Sequence, residues 1–357
     1  MKVHKQSVFL FTLQSTHLNI HLNKKEAEMK NPITGNNLKQ VYEPDTWNFR
    51  GETFSYIRTC WEDEETKERF TTTESDTAGY RQITNQYCEQ HGIPYTDEII
   101  ALRQRYGISA AKMALLLGLG TNQYRLYEHG EVPSISNARL ISNATNPKVM
   151  LDNVERTKHL LKLNDYDKIK QKLQSIINNE PKYKFALYDT NKIFATRRGK
   201  ENGYAPISLK RLEALLITII TQCGEVWQTK MNKLLFYIDF LSYKERGMAI
   251  SGLTYRAIDY GPVAERYQRA FSEFDSIQQQ PRSIGNHEGD ILTTNATANN
   301  DMFSPDEHTI INHVCDKFKH ITASDISDLS HCENAWKKHV SRKERIPYEE
   351  AFSLSAL

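Results

Sequence analysis

The stretch that decides the fold is residues 230–271, which read KMNKLLFYIDFLSYKERGMAISGLTYRAIDYGPVAERYQRAF. Its first part is dense in leucine, phenylalanine and tyrosine and runs into a glycine, which predicts a buried helix over Lys230–Arg246. A β-type run follows at Leu253–Ile258, and Tyr260-Gly261-Pro262 turns the chain into a second helix. The pattern predicts an apolar framework whose function lies in a surface.

The residues on either side predict further helices of the same domain. Leu209–Cys223 carries leucines and isoleucines on one broad face. Ser304 opens a capping box with proline at the first helical position, which predicts a helix to about His320, and Thr322 caps another through His331. This C-terminal domain is therefore predicted to be mostly α, with one or two short strands.

Composition places the chain in the globular class. It has 357 residues, of which 25% are charged and 39% apolar, enough for two or three domains. The net charge of +2 does not predict binding to polyanions by the whole chain, so a nucleic-acid contact requires a local patch. Five scattered cysteines without a C-x-x-C pair argue against a disulfide framework and favour a reducing cytoplasm.

Residues 1–28 contain one short apolar run, Val8–Leu13, after two lysines. The run is too short to span a membrane, and no small-residue cleavage site follows it. Met29 lies just ahead of the first organised turn residues. We therefore expect residues 1–28 to be a disordered leader or a mis-assigned start, and we predict no association with membranes.

Residues 29–95 show a β-like pattern that predicts a small module. Thr53–Arg58 alternates in polarity, an acidic turn follows, and Arg69–Thr73 predicts the return strand. A module of this size usually needs a staple such as zinc, but Cys60 has no partner cysteine at metal-binding spacing. We predict no zinc here, and a module that packs on its neighbour or on a second subunit.

Residues 96–150 change to a helical period. The pattern predicts helices over Asp97–Tyr106, from Ser109 to Leu117 and over Gln123–Glu128, with a tight glycine turn between the last two. Three short helices with this turn are typical of a Cro/repressor-like helix-turn-helix, whose third helix lies in the DNA major groove. Operator DNA is thus a predicted partner, bound by a homodimer.

The third helix carries side chains suited to DNA. Asn122 and Gln123 can read adenine edges and Arg125 can pair with guanine or phosphate, one good bidentate pair being worth about 1–3 kcal/mol. Arg103 and Arg105 can add backbone contacts. The alternative is that Asn122 only caps the helix and Arg125 is only solvated. The predicted DNA-binding residues are Ser109, Lys112, Thr121, Asn122, Gln123, Tyr124 and Arg125.

Residues 151–207 are predicted to be a helical connector and linker. Asp152–Asn179 is a charged helical stretch that can pack on the preceding helices or serve in dimerisation. Lys192–Ser208 is rich in Gly, Arg and Lys, which marks an interdomain link with solvated side chains. A phosphate contact is the alternative for its basic cluster, which comprises Arg197, Arg198 and Lys200.

Residues 108–134, with Tyr127-Glu128-His129-Gly130 among them, resemble the helix-turn-helix of MqsA-like (YgiT-type) antitoxins. The resemblance implies an N-terminal zinc module and a dimeric DNA-binding module that represses its own operon. Asn31-Pro32-Ile33-Thr34-Gly35 stands where the zinc module would begin with Cys-Pro-x-Cys-Gly, so the module is degenerate and zinc is not carried over. Leu126 occupies the position of the family's arginine, so the operator sequence is not inherited either.

The C-terminal domain, residues 208–357, resembles the Panacea or SocA-like domain over roughly residues 208–345. The resemblance is carried by Lys233–Phe240, Gly252–Tyr255, Asp259–Val263, Leu329–His331 and Ala335-Trp336. It implies an antitoxin domain that binds and neutralises a toxin encoded beside it. Exposed aromatic residues and the turn are the candidate interface anchors. The predicted toxin-binding residues are Tyr243, Tyr255, Tyr260, Gly261, Pro262, Arg266 and Tyr267, with Tyr237 as a further candidate.

A metal or acid–base cluster is the competing interpretation of this domain. Its members would be Asp239, Asp259, Glu265, Asp325 and His331, with His331 and Cys332 as a nucleophile pair. No motif places a nucleophile, a base and an orienting group together, so packing roles are favoured. We predict no enzyme activity, no cofactor and no metal.

Two hypotheses about function follow. In the first, the chain is the antitoxin of a type II toxin–antitoxin system, which neutralises its toxin through the C-terminal domain and represses the shared operon through the helix-turn-helix. In the second, it is a stand-alone transcriptional repressor whose C-terminal domain senses a ligand or partner. An adjacent short toxin-like reading frame would favour the first.

Overall fold

The computed structural model describes residues 29–179, 190–284 and 287–357. Helices predominate, and a small antiparallel sheet lies at the N-terminal side, as the sequence predicts. Residues 1–28, predicted to be a leader, lie outside the described residues, and so does the 180–189 part of the predicted connector. Separate hydrophobic cores form in the N-terminal module, in the central helices and in the C-terminal domain.

The N-terminal sheet is a long hairpin with a two-residue strand at each edge. Its strands are β1 (Met29–Lys30), β2 (Asn37–Phe49), β3 (Glu52–Asp63) and β4 (Arg69–Phe70), in the order β1-β2-β3-β4. β2 and β3 pair along their whole length. The predicted return strand Arg69–Thr73 forms only at Arg69–Phe70, because Thr72 already caps the helix that follows.

A 19-residue helix, α1 (Thr73–His91), packs on β3. The β-like pattern predicted through this segment is therefore wrong. The helix begins with a capping box at Thr72, which satisfies its first backbone donors. Its buried face includes small and polar residues such as Ala78, Gln82 and Asn85, so the apolar period that reveals most helices is weak here.

The central part of the chain is a helical domain. Its helices are α2 (Thr96–Tyr106), α3 (Ala110–Leu116), α4 (Gln123–Glu128), α5 (Ile135–Asn143), α6 (Pro147–Arg156) and α7 (Leu163–Asn178), with a 3-10 turn at Lys158–Leu160 between the last two. The three helices predicted between residues 96 and 128 are confirmed as helices. Asp152–Asn179, predicted as one helical stretch, is interrupted between α6 and α7.

α7 belongs to the same core as the three predicted helices. Tyr166, Leu173 and Ile176 from α7 are buried in one cluster with Tyr106 from α2 and Tyr124 from α4. Residues 163–178 thus pack on the preceding helices, which is one of the two roles that the sequence left open for this segment.

The C-terminal domain is built around one buried helix. Its helices are α8 (Leu209–Cys223), α9 (Gln228–Arg246), α10 (Tyr267–Ser272), α11 (Pro305–Phe318), α12 (Ala323–Cys332) and α13 (Asn334–Lys337), with 3-10 turns at Lys200–Asn202, Asn300–Met302, Val340–Arg342 and Tyr348–Ser353. Every residue of α9 from Lys230 to Tyr243 is buried, which confirms the predicted framework. Within the described residues, no helix is long and apolar enough to cross a membrane.

Two small sheets complete this domain. β6 (Tyr255–Ile258) pairs with β7 (Gly261–Ala264) in a hairpin that packs on α9. β5 (Val226–Trp227), β8 (Gln278–Ile284) and β9 (His287–Thr293) form a three-stranded antiparallel sheet in the order β5-β9-β8. The sequence predicted only one or two short strands in this domain, so the β8–β9 pair was not predicted. Polar residues such as Gln278 and Gln280 fill β8, which obscures the apolar alternation.

α1 joins the N-terminal module to the C-terminal domain. The side-chain amide of Asn85 donates to the carbonyl of Gly247 over 3.1 Å, and Arg81 donates to the carbonyl of Arg246 over 2.9 Å. Gly247 has a φ of +68°, and a Cβ there would lie 2.7 Å from the carbonyl oxygen of Ala78. Glycine therefore permits the close approach of α1 to the end of α9. The module thus packs on the C-terminal domain, and Val132 and Ala138 of the helical domain also belong to its hydrophobic core.

The helical domain is held at two places. Arg198, predicted to be a solvated linker residue, is instead buried and donates to both carboxylate oxygens of Asp97 over 2.7 Å. Its guanidinium lies over the ring of Tyr95, 4.0 Å from the centroid. At the far end of the β2–β3 hairpin, Arg50 donates to the carbonyl of Pro133 over 2.8 Å. These contacts orient the helical domain relative to both other parts of the chain.

Candidate functional surfaces

The β6–β7 hairpin has a two-residue loop, Asp259–Tyr260, because Ile258 pairs with Gly261. Tyr260 is the most prominent side chain of the loop, with 75% of its surface exposed. Gly261 has a φ of +92°, a conformation that L side chains rarely adopt. The hairpin thus presents an aromatic side chain to solvent from a tight turn.

A buried lysine supports the hairpin from below. The Lys233 amine, on α9, donates to the carbonyl of Tyr260 over 2.6 Å and to that of Pro262 over 3.0 Å. Burial lowers the pKa of Lys233 to about 7. A Cβ at position 261 would lie 2.7 Å from the Lys233 Nζ and 2.6 Å from the Ser330 Oγ. Gly261 is therefore required both by its backbone angle and by the lysine and serine packed against it.

Two further contacts come from the C-terminal helices. The Trp336 indole donates to the carbonyl of Ile258 over 2.7 Å, and the His331 ring lies on Trp336 with 4.3 Å between the ring centroids. Burial and the nearby Lys233 charge lower the pKa of His331. Side chains of α9 and α13 therefore donate to the carbonyl groups of the hairpin, and His331 of α12 packs on one of these donors, which makes Tyr260 a preorganised contact point.

A small pocket opens beside the hairpin. It has a volume of about 100 Å³ and is lined by Gln228, Thr229, Asn232, Lys233, Ile258, Tyr260, Val263 and Tyr267. Lys233 is its single charged lining residue. Leu329 of α12, the helix whose Ser330 packs against Gly261, is 41% exposed. Sequence reasoning missed Leu329, because its place in the sequence pattern is that of a core residue of an amphipathic helix.

The predicted toxin-binding residues divide by exposure. Tyr260 and Arg266 are exposed and Tyr267 is half-buried, whereas Gly261 and Pro262 are buried in strand β7. Arg266 donates to the backbone carbonyl of Asn191 over 2.7 Å.

The remaining aromatic candidates lie in the core. Tyr237, Tyr243 and Tyr255 are each less than 5% exposed, so their side chains are not available at the surface and support the framework instead. Sequence reasoning had set them beside Tyr260 as candidates. Apolar character alone does not separate an exposed tyrosine from a buried one.

Asp239 explains why Tyr255 is buried. The Asp239 carboxylate accepts hydrogen bonds from the Tyr255 hydroxyl over 2.6 Å, from the N–H groups of Ile250 and Ser251 over 2.9 and 2.8 Å, and from the Ser251 hydroxyl. Burial raises the pKa of Asp239, and these hydrogen bonds oppose the rise. The group closes the loop between α9 and β6, which is the packing role predicted for it.

The other members of the competing acid–base cluster are dispersed. Asp259 pairs with Lys343, Glu265 pairs with Arg256 and Arg345, and Asp325 belongs to the capping box of α12. In the part of the chain that the structure describes, no group of three or more His, Cys, Asp or Glu side chains could hold a metal ion.

The predicted DNA-binding residues lie at the start of α3 and along α4. Thr121, Asn122 and Arg125 are exposed, and Asn122 makes no side-chain capping bond, so the capping alternative does not describe it. Gln123 donates to Glu131 over 3.0 Å. These residues form one exposed polar face at the start of α4.

The remaining predicted DNA contacts have structural partners. Ser109 caps α3, and Lys112 pairs with Asp165 of α7 over 2.7 Å. Tyr124 is fully buried, and its hydroxyl donates to the carbonyl of Ile99 over 2.8 Å, so its side chain is a core element. Of the two additional arginines, Arg103 pairs with Glu128 and Arg105 donates to the carbonyl of Thr145.

The class of this C-terminal region follows from comparison with known protein families. Residues 231–337 match the family model described as Antitoxin SocA-like, Panacea domain. This part of the chain is therefore similar to the SocA-like Panacea domain of antitoxins, in agreement with the resemblance stated from the sequence. The match contains most of α9, the β6–β7 hairpin and the side chains of Lys233, Ser330 and Trp336 that support it. The family is not a known enzyme family. No curated protein and no solved structure shows significant similarity to the chain.

Proposed function

We propose that the protein is the antitoxin of a type II toxin–antitoxin system, which neutralises an adjacent-gene toxin by direct binding through its Panacea domain. The observation that carries the proposal is the position of Tyr260. It lies within the residues matched by the antitoxin family, and it is 75% exposed on a hairpin whose carbonyl groups accept hydrogen bonds from Lys233 and Trp336.

The hairpin has the properties of an interface anchor. Aromatic residues contribute disproportionately to binding when they enter a pocket of the partner, and a preorganised anchor loses little conformational entropy on binding. Tyr260 lines the pocket that contains Lys233, and Leu329 is a further exposed apolar residue of α12. The toxin surface is thus expected to offer an apolar recess for Tyr260.

The second part of the proposal is that the helical domain binds operator DNA and represses the shared operon, as a homodimer in the cytoplasm. The exposed face at the start of α4 supports this part of the proposal, because Asn122 and Arg125 are free to reach base edges or phosphates. The stand-alone repressor remains the alternative, in which the same Panacea surface receives another partner.

Co-expression with the toxin-like neighbouring reading frame tests neutralisation. Wild-type protein should restore growth, and Tyr260→Ala should weaken toxin binding in a pull-down by about 30-fold or more, as expected for a central aromatic anchor. Tyr80→Ala, a partly exposed tyrosine on α1, is the matched control and should bind like the wild type. Failure of the wild-type chain to rescue growth would exclude the antitoxin function. Rescue that persists with Tyr260→Ala would instead exclude the hairpin as its site.

A further inference from the structure

Two turns at the base of the N-terminal sheet repeat one another. They are residues 31–36, NPITGN, and residues 63–68, DEETKE. In each turn the N–H of the first residue donates to the carbonyl of the sixth, over 2.8 Å in the first turn and 2.9 Å in the second. The N–H of the fifth residue donates back to the carbonyl of the first, over 2.8 and 3.0 Å. That fifth residue has a positive φ in both turns, +77° at Gly35 and +60° at Lys67.

The side chains repeat the same pattern. The Asn31 Oδ1 accepts the N–H groups of the third and fourth residues of its turn over 2.9 and 3.4 Å, and the Asp63 Oδ1 accepts the equivalent pair over 3.0 Å each. At the fourth position, the Thr34 and Thr66 hydroxyls each accept the N–H of the sixth residue, over 3.3 and 3.4 Å. The two turns are therefore copies in both backbone and side-chain geometry.

The copies meet at the Asp63 carboxylate, which is fully buried. Three side chains of the first turn donate to it: the amides of Asn31 and Asn36 over 2.8 and 3.1 Å, and the hydroxyl of Thr34 over 2.8 Å. Its own turn adds two backbone donors. The backbone donor at Thr66 and the side-chain donors hold the pKa of Asp63 well below its usual range. One ionised group thus joins both turns.

Structural zinc sites have the same plan. Two C-x-x-C turns face each other, and each supplies thiolates from its first and fourth positions to one tetrahedral ion. Here those positions are held by Asn31, Thr34, Asp63 and Thr66. We propose that these four positions are a metal-ligand frame in which hydrogen bonds to the Asp63 carboxylate replace the ion, so that the N-terminal module folds without metal.

The replacement has a consequence for the whole chain. The turns close the sheet on which α1 packs, and α1 in turn carries the module to the C-terminal domain. A carboxylate joined by hydrogen bonds cannot be removed by a chelator or by oxidation of thiols. The docking of the module is therefore independent of zinc supply.

The first experiment uses the full chain purified from zinc-supplemented cells. We expect no stoichiometric zinc by mass spectrometry and no change in melting temperature with EDTA. Asp63→Asn removes the charge and should lower the melting temperature by about 3 °C or more. Glu65→Gln removes an exposed charge from the same turn and should leave the melting temperature unchanged. Stoichiometric zinc whose removal destabilises the wild type would overturn the proposal, and so would an Asp63→Asn chain as stable as Glu65→Gln.

The second experiment places cysteine at all four positions, in the quadruple variant N31C, T34C, D63C and T66C. We expect it to bind one Co²⁺ per chain with the visible absorption of a tetrahedral thiolate site, and to melt higher with Zn²⁺ than with EDTA. The triple variant N31C, T34C and T66C, which keeps Asp63, is the control and should bind Co²⁺ at least 10-fold more weakly. A quadruple variant that neither binds Co²⁺ nor folds when Zn²⁺ is added would show that the four positions are not a ligand frame.

Discussion

The Arg198 guanidinium and the Asp97 carboxylate form a two-bond ion pair with both N···O distances at 2.7 Å. The Arg198 side chain is only 7% exposed, whereas the Asp97 side chain is 44% exposed. Arg198 also donates to the carbonyl of Tyr204 over 2.9 Å. The pair thus ties the first turn of α2 to the segment that enters the C-terminal domain.

Asp97→Asn should lower the free energy of unfolding by about 1–2 kcal/mol, because the buried guanidinium loses its two-bond carboxylate partner and keeps only the longer pair with Glu98, at 3.4 Å, and its neutral partners. Urea denaturation of the full chain measures the change. Asp152→Asn is the control, since Asp152 forms an exposed pair with Arg156 in α6 and pairs of this kind contribute about 0.3–0.5 kcal/mol. Equal effects of the two substitutions would show that the Arg198 pair does not join the domains.

Gly261→Ala tests the support under the hairpin. The substitution combines a strained positive φ with a Cβ that would lie 2.7 Å from the Lys233 Nζ, and we expect a loss of about 2–4 kcal/mol in stability. Gly224→Ala is a matched control, because Gly224 has a φ of +77° with nothing within 4 Å of a Cβ. The larger stability loss expected for Gly261→Ala than for Gly224→Ala measures the cost of the clash. Equal losses would show that Lys233 does not pack against the turn.

Lys233 gives stability a dependence on pH. Its pKa is lowered to about 7 by burial, so between pH 7 and the ordinary lysine pKa the unfolded chain binds more protons than the folded one. Stability contributed by this group should therefore rise with pH across pH 7–9, by up to about 1.4 kcal/mol per unit. Chemical denaturation at several pH values measures the slope.

Lys233→Met should remove that slope while keeping the apolar stem packed against the core. Lys244→Met is the comparison, because Lys244 is a partly buried lysine of the same helix and burial lowers its pKa as well, but its amine lies over the ring of Tyr42, 4.9 Å from the centroid. If Lys233→Met keeps the wild-type dependence of stability on pH, groups other than Lys233 are responsible for that dependence.

Arg125→Ala should weaken operator binding and reduce the salt dependence of the affinity, if Arg125 contacts phosphate or guanine. A bidentate base contact predicts a loss of about 1–3 kcal/mol. Fluorescence anisotropy on the chain's own promoter, at two salt concentrations, measures both quantities. Arg156→Ala on α6 removes another exposed arginine and should have little effect. Toxin neutralisation should persist in both variants, since loss of both functions together would indicate unfolding.

Elements with a clear apolar period were predictable from the sequence. α8, α9, α11 and α12 begin and end within a few residues of the expected positions, because amphipathic spacing and capping residues act locally. α1 was not predictable in this way, since its buried face includes Gln82 and Asn85, whose partners lie elsewhere in the chain.

In the candidate surfaces, too, local features were predictable from the sequence and features that depend on distant residues were not. The turn at Tyr260 was identifiable from Gly261 and Pro262, but its exposure, and the burial of Tyr243 and Tyr255, depend on tertiary packing. Likewise, Arg198 resembled a linker residue because its partner Asp97 lies about a hundred positions earlier. Composition within a short window does not report such long-range pairs.

The position of α1 against the end of α9 has a topological consequence. The chain before α2 and the chain after α7 pack together, so the helical domain is an insertion within a body that the two flanks build jointly. The two functions proposed for this protein are thus arranged one inside the other rather than one after the other. Any motion of the inserted part must be accommodated at both of its junctions at once, so it can pivot on the body but cannot swing away from it on a single tether.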